Sequence, residues 1–474
     1  MSPGNRANPI AAGDDSAPVF QGGTSCDDRP CLPVDEGASR VNVVFFLLIA
    51  GSVVVTGWRQ FGAVADGGVS PMEALGRAAL SAADGAITLG IGLAGGMALF
   101  LGLMRIAETA GLMRVLARLL RPWLGRLFPD VPADHPAMGA MVMNVAANVL
   151  GLSNAATPFG VHAMRQLNAL NRHPGTATDA MVLFLAINTA NVTLLPIHVM
   201  ALRTAVGSHD PAAVIPTTLF ATLGSTVMAV LVAKWGARFF PVGAVPADGA
   251  ATGSRTETSE RTSPAAAPPE ETPPPPYPAW AGVLAALILL PLLAVTVLWG
   301  RQISPWVLPV LLAGIPAYGL WRGVAIYEAF VEGAKEGLAV SIRILPYLAA
   351  ILVAVGMFRT SGAMDLALAP LGRLLGPFGL PPEAISMAVL RSLSGSASFG
   401  FLASLLKDPA IGPDGYLGVL VSTVYGSSET TFYVLAVYFG AAGVRRIRHA
   451  LLAGLLADAA ALLCAVAICR WLYR

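Results

Sequence analysis

Long apolar runs alternate with short polar ones along most of the chain. Runs of roughly 20 residues lie at 41–58, 85–104, 177–203, 212–238, 279–299, 303–321, 337–358, 414–439 and 447–470. Each is long enough to cross about 30 Å of hydrocarbon as a helix. Two further apolar stretches, 136–170 and 383–406, are interrupted midway by small and polar residues. They predict re-entrant helical hairpins, because non-helical backbone at membrane depth survives only against protein or a wet cavity. The expected fold class is an all-α polytopic membrane protein with about nine transmembrane helices and two such hairpins.

Composition supports this reading. Of 474 residues, 55% are hydrophobic and 12% charged, half the charge of an ordinary soluble domain at ~25%. Lys+Arg 30 against Asp+Glu 28 leaves +2, so no strong field invites nucleic acid. Cys26 and Cys31 lie in a polar N-terminal tail, 1–40, and Cys464 and Cys469 in the last apolar run. Neither pair has zinc-site spacing. The tail lacks a signal-peptide pattern, so the first apolar run is expected to stay as an uncleaved span.

The chain divides near its middle. Residues 241–277 carry Pro264, Pro268, Pro269 and Pro273–Pro276 among Ser, Thr, Glu and Ala, the composition of a flexible tether. It separates a first unit, 41–240, from a second, 278–474. Gly111, Met113, Leu120, Leu124 and Gly125 match Gly362, Met364, Leu371, Leu375 and Gly376 at a constant offset of 251 residues. The run from Leu152 to Gly160 resembles Leu393 to Gly400, and each precedes a span with a polar centre: 188–193 in one unit, 426–431 in the other. If the hairpins do not cross, 85–104 and 337–358 are an odd number of crossings apart, so the repeat is expected to be inverted. An N-terminus in the cytoplasm places Lys and Arg inside over outside at roughly two to one, which puts the linker inside and the C-terminus outside.

Candidate chemistry sits at the interruptions. Asn144 and Asn148 share one helix face, followed by Ser153, Asn154 and Thr157 on a Gly151–Gly160 loop. They are read as solute or ion contacts, with helix–helix packing as the alternative. Asn188, Thr189, Asn191 and Thr193 occupy the first polar centre, and Pro196 is expected to open the helix near Asn191. The second hairpin offers Arg391, Ser392, Ser394, Ser396 and Ser398; the second polar centre offers Ser427, Ser428, Glu429 and Thr430. Arg391 could grip an anionic group or pair with Glu429. Glu429 is the candidate for coupling to H+ or Na+, since a mid-span carboxylate needs a reason to be there. Arg343 is read either as a snorkelling residue or as part of the site. Asp458 and His198 are read as structural, and Met138, Met141 and Met143 as core filling. Arg114, Arg118 and Arg121 form a basic stripe suited to lipid headgroups, with a weaker counterpart at 362–378. No nucleotide, zinc-protease or serine-hydrolase motif is present. Neither an enzyme nor an ATP-driven pump is expected, and no cofactor.

The stretch Asn-Val-Ala-Ala-Asn-Val-Leu-Gly-Leu-Ser-Asn-Ala-Ala-Thr-Pro-Phe-Gly from Asn144 resembles spore maturation protein A. The stretches from Arg391-Ser-Leu-Ser-Gly-Ser-Ala-Ser through Gly426-Ser-Ser-Glu-Thr-Thr-Phe-Tyr-Val to Arg448-His449-Ala450 resemble spore maturation protein B. The chain thus resembles a fusion of two proteins of the nucleoside recognition, or Gate, group. That resemblance implies a transporter-like scaffold similar to concentrative nucleoside transporters, elevator-like, in a bacterial inner membrane, with a homodimer or trimer by analogy. It also brings in the membrane part of ferrous iron transport protein B, whose GTPase domain is missing here. Three functions follow as expectations: a secondary transporter of a small polar, nucleoside-like solute; a divalent metal-ion permease; or a non-transporting factor in envelope or spore maturation.

Overall fold

The computed structural model describes residues 36–62, 70–241, 279–364, 366 and 380–473. The N-terminal tail up to 35, the Pro-rich linker and most of the 362–378 counterpart helix lie outside the described residues. Every described element is helical. In chain order they are α1 (Glu36–Gly62), α2 (Pro71–Thr109), α3 (Leu112–Leu127), α4 (Pro136–Val149), α5 (Ser153–Ala169), α6 (Asp179–Thr189), α7 (Ile197–Ala205) and α8 (Val214–Phe239). Then follow α9 (Ala279–Trp321), α10 (Ile326–Thr360), α11 (Pro382–Leu393), α12 (Gly395–Lys407), α13 (Tyr416–Gly426), α14 (Thr431–Ala441) and α15 (Ala450–Tyr473).

Five described segments are long and apolar enough to cross a bilayer: Pro71–Thr109, Pro211–Phe239, Leu298–Trp321, Ile326–Thr360 and Ala450–Tyr473. The chain is a polytopic membrane protein. Trp58, Phe61, Trp235, Phe239, Trp306, Trp321 and Trp471 are exposed, several of them near helix ends, as aromatic side chains are at membrane interfaces. Two of the expected spans are not continuous helices. The span at 177–203 is α6 and α7 with an extended break at 190–196, and the span at 414–439 is α13 and α14 with a break at 427–430. Pro196 caps α7, so the first break lies where its missing N–H predicts. Trp299 is the one non-helical residue within α9, dividing the two stretches read as separate spans.

Both hairpins are present as helix pairs. α4 and α5 turn through residues 150–152, and α11 and α12 turn at Ser394 alone. Each helix is 12 to 17 residues long, about 18–26 Å at 1.5 Å per residue, short of a full crossing. The Gly151–Gly160 loop expected from sequence is a correction: helix resumes at Ser153, so only residues 150–152 are irregular. At Gly151 φ is +76°, and a Cβ there would lie 2.3 Å from the Leu195 carbonyl oxygen. Only glycine allows that turn to press on the first break.

α2 and α10 are the longest uninterrupted helices, 39 and 35 residues. They pack along much of their length with very close backbones. A Cβ on Gly337 would lie 2.5 Å from the Met97 carbonyl oxygen, the small-residue contact by which apolar helices associate in lipid.

The buried apolar residues form two cores, not one. The first draws on α2, α7, α10, α12, α13 and the ends of α8 and α15 near Val214 and Ile468. The second draws on α4, α5, α6, α14 and the opposite ends of α8 and α15, near Ala233 and Ala453. α6–α7 therefore runs from the second core to the first, and α13–α14 from the first to the second. Both breaks, with their polar side chains, lie where the cores meet.

Candidate functional site

Breaking a helix frees backbone donors and acceptors that burial makes costly to leave unpaired. Here one bond joins the two breaks, and neighbouring helices supply further partners. The Glu429 N–H donates to the Thr189 carbonyl at 2.9 Å, and the Leu194 N–H donates to Val149, at the end of α4, at 2.9 Å. The Thr226 hydroxyl of α8 donates to the Ala190 carbonyl.

Arg391, near the end of α11, is buried and braces the second break. Its Nε donates to the carbonyls of Tyr425 at 3.0 Å and Ser428 at 2.8 Å. Nη1 donates to Thr430 Oγ1 at 3.1 Å, and Nη2 to Glu429 Oε2 at 3.1 Å. The guanidinium also lies over the Tyr425 ring, 4.6 Å from its centroid, a cation–π contact. Arg391 forms an ion pair with Glu429 in this structure. Its fork is occupied by the protein's own acceptors.

Pairing does not bury Glu429 completely; 37% of its side chain stays exposed. It faces a cavity of ≈ 140 Å³ lined by Asn148, Asn191, Thr193, His198, Arg391 and Tyr425, among others. A second cavity of ≈ 250 Å³ adjoins it, sharing Gly151, Ile197 and His198, and runs between α2 and α10 past Met104, Arg105, Glu108 and Glu336. Arg105 bridges Glu108 at 3.0 Å and Glu332 at 2.7 Å along this wall.

The first hairpin is tied to the breaks by an amide network. Asn148 Nδ2 donates to Asn188 Oδ1 at 2.9 Å, and the Tyr438 hydroxyl donates to the same oxygen at 3.3 Å. Asn144 Nδ2 donates to the Ala156 carbonyl at 2.8 Å and to Tyr438 Oη at 3.3 Å. Asn144 and Asn188 thus pack helices together, away from the cavity lining.

Of the residues expected at the site, Asn148, Asn191, Arg391 and Glu429 line one cavity. Ser427, Ser428 and Thr430 are buried in the second break; Thr430 accepts from Arg391, and Ser427 Oγ donates to Val424. Ser394 caps α12, Ser398 bonds the Gly395 carbonyl, and Ser396 is exposed. None of these three lines either cavity, and neither does Thr157. The side chains of Ser153 and Asn154 lie outside the described residues. Arg343 is exposed on α10 and does not line the cavities. Met138, Met141 and Met143 are buried in the second core. Arg121 folds back onto the Ala133 carbonyl, so the basic stripe is partly engaged with protein.

Sequence reasoning missed His198, which lines both cavities, and Tyr425 and Tyr438. The signal for His198 was its place two residues after Pro196, at the foot of α7.

The nucleoside recognition (Gate) family model matches residues 91–238 and 341–445. This chain belongs to that family. It is 41% identical over 164 residues to spore maturation protein A of Bacillus subtilis (strain 168), covering 35% of this chain and 84% of that protein. It is also 41% identical over 166 residues to spore maturation protein B of the same organism, covering 35% of this chain and 92% of that protein. No solved structure matches significantly.

Proposed function

We propose that this Gate-family membrane protein is a secondary transporter of a small polar solute, bound between the first hairpin and the two broken helices. The observation that carries this reading is the cavity beside Glu429, lined by Asn148, Asn191, Thr193 and His198. A carboxylate that is paired with Arg391 yet still partly exposed at a cavity suits hydroxyl or amino groups, as a sugar-like or nucleoside-like solute carries. A cavity of ≈ 140 Å³ is small against ligand pockets of about 300–1,000 Å³, so a larger solute would extend into the adjoining one. Glu429 is the group through which H+ or Na+ would couple. The opposite courses of α6–α7 and α13–α14 support an inverted repeat, with α2 and α10 as its scaffold. We place the protein in a bacterial inner membrane, N-terminus and linker inside, as a non-enzymatic homo-oligomer.

The test is a thermal-shift screen of purified protein against nucleosides, amino acids and divalent metals, with Glu429→Gln and Asn148→Ala alongside. A stabilisation that rises with ligand concentration and is lost in both variants supports the site. A shift kept in both overturns it. A shift with metals alone moves the reading to a metal-ion permease, although among the described residues no three His, Cys, Asp or Glu side chains converge. The names of the two relatives favour a second reading, a maturation factor that transports nothing, and it gains if no ligand shifts the protein.

A further inference from the structure

Arg391 has a carboxylate on each side of its helix end. Glu429 faces the cavity. Asp458, on α15, is buried and takes no part in the ion pair. Its Oδ2 meets two hydroxyls, Ser392 Oγ at 2.6 Å and Thr431 Oγ1 at 2.7 Å. Its Oδ1 is buried with no hydrogen-bond partner among the described residues. Ser392 is the neighbour of Arg391 near the end of α11, and Thr431 opens α14. One carboxyl group therefore holds together the second hairpin, the second break and the last span.

We propose that Asp458 is a proton-binding site, and that its protonation controls docking of the second hairpin against α14 and α15. An ionised carboxylate wants several donors or a cation at hydrogen-bond distance. Asp458 has two hydroxyls, both on one oxygen, and one of these has a competing partner, since Ser392 Oγ also lies 3.2 Å from the Ala388 carbonyl. A neutral acid resolves the competition. Its O–H donates from Oδ2 to Ser392, Ser392 donates to Ala388, and Thr431 donates to Asp458. The bare Oδ1 is then a neutral carbonyl, far less costly to bury than half a carboxylate. Loss of the proton leaves an unpaired negative charge in a buried joint. The joint must open to water to hydrate it, and opening it separates α11 from α14.

Arg391, on α11, is the neighbour of Ser392, which bonds Asp458. Other packed elements bring hydroxyl groups to this stretch. These are Thr431 on α14, Thr189 of α6 beside Gly454, and Ser225 of α8, which donates to the Ala457 carbonyl. Arg301 of α9 stands at the far end of α15, over Tyr473. Cys464 and Cys469, on α15 itself, lie further along the same helix. Arg391 is already committed to Glu429, so ionisation of Asp458 would make two carboxylates share one guanidinium.

This inference rests on the hairpins being moving parts of a transporter, but its test needs no solute. Infrared spectra of the purified protein are recorded from about pH 5 to about pH 9, the range over which a buried acid can be displaced from its ordinary value. A protonated-carboxyl band should titrate reversibly, be lost in Asp458→Asn and persist in Glu429→Gln. Hydrogen exchange across 390–400, corrected for intrinsic rate, should quicken as the band disappears and lose its pH dependence in Asp458→Asn. No Asp458-dependent band, a band present at every pH, or exchange that still follows pH in Asp458→Asn overturns the proposal. Asp458→Asn keeps the size and one acceptor oxygen. Ser392→Ala, which removes one partner and leaves the acid, should move the titration if Asn fails to fold. A failed ligand screen with a titrating Asp458, or the reverse, separates this proposal from the transport reading.

Discussion

Arg391 Nη2 lies 3.1 Å from Glu429 Oε2, while the Nε of the same guanidinium bonds the carbonyls of Tyr425 and Ser428. One side chain thus replaces the helical hydrogen bonds lost at the break and neutralises the carboxylate exposed there. Arg391→Ala should destabilise the protein by less than the about 3–5 kcal/mol of breaking a fully buried charged pair, because Glu429 is partly exposed, read as a lower unfolding temperature in detergent. Arg391→Lys supplies charge without the planar fork and should recover only part. Glu429→Gln keeps an acceptor for Arg391 and should change stability much less while abolishing solute binding.

Tyr438 joins the first hairpin to the second unit through Asn144 and Asn188. Tyr438→Phe should cost about 1 kcal/mol, the net worth of a hydrogen bond, measured by thermal unfolding. A loss several times larger would mean that the hydroxyl holds the whole amide network.

The contact of α2 with α10 admits no side chain at Gly337. Gly337→Ala should force the backbones apart or bend one helix, at about 1–3 kcal/mol. Gly95 has open space around its Cβ position, and Gly95→Ala should be neutral or slightly stabilising. If the two variants unfold at the same temperature, the close approach is wrong.

A pH dependence is expected at the segment before α13. Asp414 is partly buried, which alone would raise its pKa. The Ser208 hydroxyl, the His209 N–H and buried Arg203 outweigh that and hold it below the ordinary carboxylate value. A depressed folded pKa contributes stability above the unfolded value, about 3.9, and loses it as pH falls through the folded one. Stability should fall below about pH 4 and do so less in Asp414→Asn. That variant should start lower at neutral pH, by about 2 kcal/mol, because Arg203 is fully buried while Asp414 is a third exposed.

Much of the fold was legible because lipid restricts the choices. Apolar run length marked the five long spans, and the two interrupted stretches marked the ends of both hairpins to within about two residues. Pro196 announced the first break. The second break has no proline, and its carbonyls are held by Arg391, which is distant from them in sequence. Nothing local to Gly426–Thr431 distinguishes a polar patch in a continuous helix from a broken one. Site residues were harder for the same reason. Asn144 and Asn148 share a helix face, yet a rotation of about 40° per four residues and the position of Tyr438 send one into packing and the other to the cavity. Asp458 read as helix glue because a sequence shows a carboxyl group but not which of its oxygens lacks a partner.

The bond from the Glu429 N–H to the Thr189 carbonyl crosses between the two units, as do those from Arg203 to Pro413 and from Ala177 to Arg446. Neither unit closes its own polar backbone, so each is the other's missing solvent. Carried on one chain, they meet at fixed one-to-one stoichiometry and at the high effective concentration that covalent linkage confers. Assembly becomes a matter of folding, and no surplus of either half can be left in the membrane with an open break.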